Sequence, residues 1–158
     1  QGIVWSSTLA FRSALPAGWK EPYSFIAYGD QGCPDDGWAL GGNLTASMVR
    51  RELDGHSNRT IPTRLVHHFG DLSYARGSAY LWDSWLDMVQ PFASRIPLMV
   101  GIGNHEYDHT TGGIGREPSG VTTDSGFHPA WGNFRTDSGG ECGVPTAKRF
   151  LMPKAQQG

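Results

Sequence analysis

Three short apolar runs in this chain each stop on a glycine followed by an oxygen-bearing side chain, and that pattern restricts the possible fold most. The runs are 23–29, leading into Gly29-Asp30; 64–70, leading into Gly70-Asp71; and 97–103, leading into Gly103-Asn104. Their length and their aromatic and β-branched content are those of strands. Asp30 and Asp71 lie 41 positions apart, and Asp71 and Asn104 lie 33 apart. Each gap has room for the crossover helix that parallel strands require. The first gap contains 43–53, with Leu44, Met48 and Val49 expected on one helical face. The second contains 78–90, where Leu81, Trp82, Trp85, Leu86 and Val89 recur at helical spacing. Pro91 is expected to kink or end that helix. Strand and helix in alternation indicate the α/β class.

The flanks carry weaker signals. Residues 5–14 alternate in part and predict a strand, broken by Pro16 and Gly18. Residues 109–145 are glycine-rich and lack periodicity, with Phe127, Trp131 and Phe134 as anchors. A stretch of that length inside a domain is a functional loop or an insertion. Hydrophobic residues make up 38% and charged residues 18%, which places the chain among core-forming rather than disordered sequences. A net charge of -2 without charge blocks gives no sign of a nucleic-acid surface or a polybasic membrane patch. No apolar run reaches membrane-spanning length. Position 1 is Gln, and Pro153 to Gly158 forms no terminal element, so the chain reads as a segment cut at both ends. Cys33 and Cys142 could pair with each other, pair elsewhere or stay reduced. Asn43 and Asn58 each head an Asn-x-Thr triplet. As glycosylation candidates they lean toward a secreted, vacuolar or other lumenal protein.

In open parallel sheets, ligands bind beyond the carboxyl ends of the strands. Asp30, Asp71 and Asn104 are therefore expected on one rim, with each preceding glycine letting the backbone turn off its strand. Carboxylate, amide and imidazole donors suit hard or borderline cations. An Asp on a central strand can bridge two such ions, which together clamp a phosphate and activate water. A single Gly-Asp at a strand end is ordinarily a turn; three in order, at crossover spacing, are far more specific. His67 and His68 precede the strand end and read as structural, while His109 and His128 read as surface positions of the long loop. The Trp82, Trp85 and Leu86 stripe reads as core.

Gly29-Asp30-Gln31-Gly32, Gly70-Asp71-Leu72-Ser73-Tyr74-Ala75 and Gly103-Asn104-His105-Glu106 resemble the first three motif blocks of the purple acid phosphatases. That family lies within the calcineurin-like metallophosphoesterases. Phe25-Ile26-Ala27-Tyr28 and the run from Gly139 to Pro145 support the likeness, which extends from about Phe11 to Pro153. It implies a partial metallophosphoesterase β-sandwich flanked by helices. Residues 21–158 would be the N-terminal part of a catalytic domain, and residues 1–20 the end of a preceding fibronectin-like β domain with its linker.

The implied cofactors are Fe(III) and a second divalent metal (Zn, Mn or Fe). Asp30 would bind the ferric ion, Asp71 would bridge, Tyr74 would bind iron through its phenolate and give the family's purple colour, and Asn104 would bind the second ion. His105 would act on the substrate phosphate. Glu106 is a candidate for orienting His105 from behind, and Tyr107 could serve packing equally well. The implied reaction is hydrolysis of phosphate monoesters by a metal-activated hydroxide, with an acidic optimum and a phosphorylated small molecule or other phosphoester as substrate. Phosphodiester or nucleotide pyrophosphate cleavage is the alternative within the family, and a non-catalytic binding module the alternative outside it. The family completes its site with three more histidines, in Val-x-x-His-like and Gly-His-x-His-like blocks that this sequence does not contain. The segment alone is expected to hold metal poorly and to turn over little substrate. Parallel strands stripped of neighbours are also expected to be marginal.

Overall fold

The computed structural model describes residues 5, 7–34, 42–55, 60–107, 138–139, 141 and 143–152. Along the chain run β1 (Ser24–Tyr28), α1 (Gly42–Leu53), β2 (Thr63–His68), α2 (Ala79–Ala93), β3 (Leu98–Val100), α3 (Asn104–Tyr107) and α4 (Val144–Arg149). The three strands pair in parallel in the order β1-β2-β3. This is the alternating α/β arrangement read from the three apolar runs.

Register sorts the side chains into two faces. Ile26 pairs with Val66 and Val66 with Leu98; Tyr28 pairs with His68 and His68 with Val100. These two rows face α1 and α2, and with Trp82, Trp85, Val89 and Phe92 they form the core. Taking one such aromatic or aliphatic side chain out of water is worth ~1.5–3 kcal/mol. On the opposite face Phe25 is 55% and Phe69 56% exposed, and His67 is exposed. Residues 14–19 lie beside Leu65 at one end of that face, and the second sheet of a β-sandwich is not present among the described residues.

Three expectations are corrected. Residues 5 and 7–14 form no strand. They are largely exposed, and the Arg12 amide donates to the Arg95 carbonyl at 2.7 Å. Alternation without a neighbouring strand leaves a ladder unmade. Residues 5 and 7–20, the described part of the segment expected as a fibronectin-like remnant, contain no strand. In α1, Leu44 and Met48 are 66% and 62% exposed, while Gly42, Ala46 and Val49 are buried. The small-residue stripe faces inward because Gly42 lies against the Gly32 carbonyl, where a Cβ would come within 2.7 Å. Pro91 does not end α2, which runs on to Ala93. Its missing N–H costs one bond in a last turn, where the Ser94 amide caps the Gln90 carbonyl and the Arg95 amide caps that of Phe92.

The predicted break at Pro16 and Gly18 is a turn closed by the Trp19 amide on the Pro16 carbonyl. No helix among the described residues is long and apolar enough to cross a membrane. Most of the 109–145 stretch, with His109, His128, Phe127, Trp131 and Phe134, lies outside the described residues, as do Asn58 and Cys142.

Candidate metal centre

The rim forms because pairing continues beyond the strands. The Asp30 amide donates to the Gly70 carbonyl at 3.2 Å, Gln31 to Asp71 at 3.0 Å and Gly32 to Leu72 at 2.9 Å. The loops leaving β1 and β2 thus run side by side and set Asp30 next to Asp71. Gly70 takes φ 127°, and a Cβ there would sit 2.6 Å from the Gly103 amide nitrogen, so the third loop closes directly on the second. At Gly103 the requirement is space rather than φ: the Asp71 carboxylate occupies the place of a Cβ.

The aspartates themselves carry the turn. Among the described residues the non-glycine positions with positive φ are Asp30, Asp71, Tyr74 and Arg76, at 54°, 53°, 54° and 50°. Left-handed backbone at non-glycine residues costs on the order of 1 kcal/mol or more each and persists where the surroundings over-determine it. All four lie in the loops that leave β1 and β2.

The side chains converge. The Tyr74 hydroxyl lies 3.3 Å from Asp30 Oδ1 and 3.4 Å from Asp71 Oδ2. The other Asp71 oxygen accepts the His105 amide at 3.1 Å. The His105 and Tyr74 rings sit 4.1 Å apart, centre to centre. Asp30, Asp71 and Asn104 line one hollow of about 150 Å³, walled by Phe69 and Ile102. A larger hollow of about 530 Å³ opens at the other ends of the strands, beside Leu53, Thr63 and Arg95. Convergent donors, not size, single out the smaller one.

Glu106 acts on the backbone of the rim. It is fully buried, and its carboxylate accepts the amides of Leu72 at 2.7 Å, Asp71 at 2.8 Å and Gly103 at 3.0 Å. It therefore clamps the backbone of the β2 loop to that of the β3 loop. Burial pushes its pKa up to about 7, against the pull of those three amides.

The electrostatics suit a cation. Burial raises the Asp71 carboxyl, and the Asp30 charge raises it further against the His105 amide. Burial, then the charges of Asp71 and Asp30, push the Tyr74 phenol above its usual range. Two carboxylates and a phenol within hydrogen-bond reach of one another repel once ionised, and a hard cation among them relieves that repulsion. The donor set is all oxygen, as such cations prefer. Among the described residues no three His, Cys, Asp or Glu gather as a ready-made metal site.

Other sequence candidates fall elsewhere. His68 is buried against Tyr28 and Trp85, and its Nδ1 accepts the Gly70 amide at 3.4 Å, which leaves the proton on Nε2. His67 is exposed beside Phe69. Asn43 is exposed in the first turn of α1. Cys33 is buried just beyond Asp30. Tyr107 is partly buried, against Gly143. Sequence reasoning missed Glu141, a buried carboxylate contacting the Tyr74 loop; the signal was an acid among glycines where surface residues were expected.

No protein-family model matches the chain. Over 153 residues, 86% of the chain, it is 35% identical to the Arabidopsis thaliana protein named probable inactive purple acid phosphatase 9. Over 96% of the chain it is 30% identical to a Hordeum vulgare nucleotide pyrophosphatase/phosphodiesterase. The chain spans 22% of the first relative and 36% of the second. The fold matches the purple acid phosphatase PPD1 of yellow lupin (Lupinus luteus) seeds at TM-score 0.58 and 30% identity, covering 84% of this chain and 21% of that one.

Proposed function

The chain is related to the purple acid phosphatases, matching a segment of them in sequence and in fold, and on that premise we propose that its parent protein hydrolyses phosphate monoesters at a two-metal centre. Residues 21–158 supply part of the catalytic domain, and residues 1–20 lead in from a preceding one. The observation that carries this reading is the Tyr74 hydroxyl seated between the Asp30 and Asp71 carboxylates, on a rim where Asn104 joins them.

Asp30 and Tyr74 would hold the ferric ion, Asn104 the second ion (Zn, Mn or Fe), and Asp71 would lie between the two. When bound, such a pair of cations supplies charge neutralisation at the phosphate and activation of water. The protein's own part is positional. Glu106 fixes the Asp71 and Gly103 backbones, and Asp71 holds the His105 amide, so the imidazole stands at the rim beside Tyr74. There His105 can donate a hydrogen bond to a phosphoryl oxygen, or a proton to the leaving oxygen. The exposed Asn43 triplet is consistent with a secreted or vacuolar glycoprotein.

Two other readings have specific support. The barley relative's name favours diester or pyrophosphate cleavage, and the word inactive in the Arabidopsis name favours a non-catalytic binding role. One assay separates the three. The full-length protein, supplied with Fe and with Zn or Mn, is given p-nitrophenyl phosphate and its bis-ester. Faster monoester turnover is expected, with a loss of about 10²–10³-fold in Asp71→Asn and little turnover by the 158-residue segment alone. Preference for the bis-ester would shift the assignment to a phosphodiesterase. No hydrolysis by the full-length protein, or undiminished hydrolysis by Asp71→Asn, would sink the proposal.

A further inference from the structure

One short turn touches both of the rim loops that bear the aromatic pair. Glu141 lies 64 positions from Gly77 in sequence, yet its Oε1 accepts the Gly77 amide at 2.8 Å and the Trp82 indole N–H at 2.9 Å. Its neighbour in the turn, Gly139, presses on the same loop: a Cβ there would lie 2.5 Å from the Arg76 carbonyl oxygen. On the other side the Gly143 amide donates to the Glu106 carbonyl at 2.6 Å. The turn thus joins the loop that carries Tyr74 to the short helix that carries Asn104 and His105, and anchors both to Trp82 in the core.

The carboxylate serves two donors from different segments at once. Glu141 is 5% exposed, and its Oε2 has no hydrogen-bond partner among the described residues. A buried acid with an unpartnered oxygen is costly; here the cost is offset by the two N–H donors on Oε1 and by the Arg149 charge, and an apolar side chain would leave both donors without an acceptor. What the acid holds is a loop of unusual backbone, tied within itself by the Ser78 amide on the Ala75 carbonyl and the Ala75 amide on the Ser73 hydroxyl. Tyr74, Arg76 and Gly77 all have positive φ, at 54°, 50° and 85°. Such a run persists where neighbours pin it.

We propose that Glu141 is a positioning residue for the phosphoesterase site. It pins the Tyr74–Gly77 loop so that the Tyr74 ring stays against His105 and its hydroxyl stays between Asp30 and Asp71. The consequence for turnover rests on the phosphoesterase reading; the brace itself does not.

Hydrogen exchange read by mass spectrometry on the metal-free, full-length protein tests the brace. Glu141→Leu is expected to speed exchange at 74–78 by about tenfold, the worth of one hydrogen bond to a charged group. Peptides from β2 and β3 should stay as in the parent. Glu141→Gln keeps an acceptor oxygen for both donors and should stay within about twofold of the parent. Unchanged exchange at 74–78 in Glu141→Leu, or an equal rise across the whole protein, overturns the proposal. Should Glu141→Leu not fold, Gly139→Ala carries the test, because its methyl displaces the turn from Arg76; unchanged exchange at 74–78 there overturns the proposal as well. In turnover, Glu141→Leu should lower kcat about tenfold with KM within about threefold, as misplacement rather than lost binding predicts, and Glu141→Gln should restore it. If exchange responds as expected while the parent hydrolyses no phosphoester, the brace stands and the phosphoesterase reading falls.

Discussion

On the helix-covered face of the sheet, the rows Ile26–Val66–Leu98 and Tyr28–His68–Val100 meet Trp82, Trp85, Val89 and Phe92 in ordinary strand and helix conformations. At the rim, a few residues farther along the same strands, Asp30, Asp71, Tyr74 and Arg76 adopt left-handed backbone and acid groups crowd one another. The first region gains by burying apolar surface. The second is held against its local preferences by Glu106 and Glu141, two buried carboxylates that accept backbone amides. The face stabilises the chain, whereas the rim draws on that stability to hold one geometry.

Three substitutions test that contrast. Trp85→Ala on the face should cost the most, ~3–5 kcal/mol of unfolding free energy in urea, because it empties a fully buried site. A cost below about 1 kcal/mol would mean that the face is not where stability resides.

His68 stands between the two regions, buried in the face but accepting the Gly70 amide at the edge of the rim. Burial lowers its pKa from 6.5 to about 4, against the upward pull of the Asp30 charge. The unfolded chain therefore binds a proton that the folded chain resists between those two values. Stability is full above pH 6.5 and falls by roughly 3 kcal/mol as pH drops toward 4. His68→Asn keeps an acceptor for Gly70 and removes the titration, so its urea midpoint should vary less between pH 7.5 and 4.5. A variant as acid-sensitive as the parent would assign that sensitivity to other groups.

Tyr74→Phe at the rim should have the smallest effect on folding, within about 1 kcal/mol, since its two bonds are long and half-exposed. Loss of the visible absorption band of the iron-loaded full-length protein should accompany it. A band that survives the substitution would remove Tyr74 from the iron.

Much of this layout was legible in residue order. A strand's apolar stretch and its closing Gly-Asp or Gly-Asn are contiguous, so β1, β2 and β3 and the positions of Asp30, Asp71 and Asn104 could be placed without coordinates. The α2 stripe was equally plain, because five large apolar residues share one helical spacing. The inward face of α1 was not. Leu44 and Met48 satisfy an i, i+4 spacing as well as Gly42 and Ala46 do, and the choice fell to how closely α1 approaches the Gln31–Gly32 backbone. The expected strand at 5–14 failed for a related reason, since alternation shows that a segment can pair but not that a partner is within reach.

Residue order fixes which atoms are available for chemistry and which strand ends bear them, because those features depend on neighbours along the chain. Packing in three dimensions settles that Tyr74 closes on both aspartates, that Glu106 ties two loops together, and that Glu141 reaches Gly77. Each of those contacts bridges a gap in sequence that local propensity does not span. Each also holds a backbone or a charge in a state its own segment would not choose, and only packing from several directions can impose that.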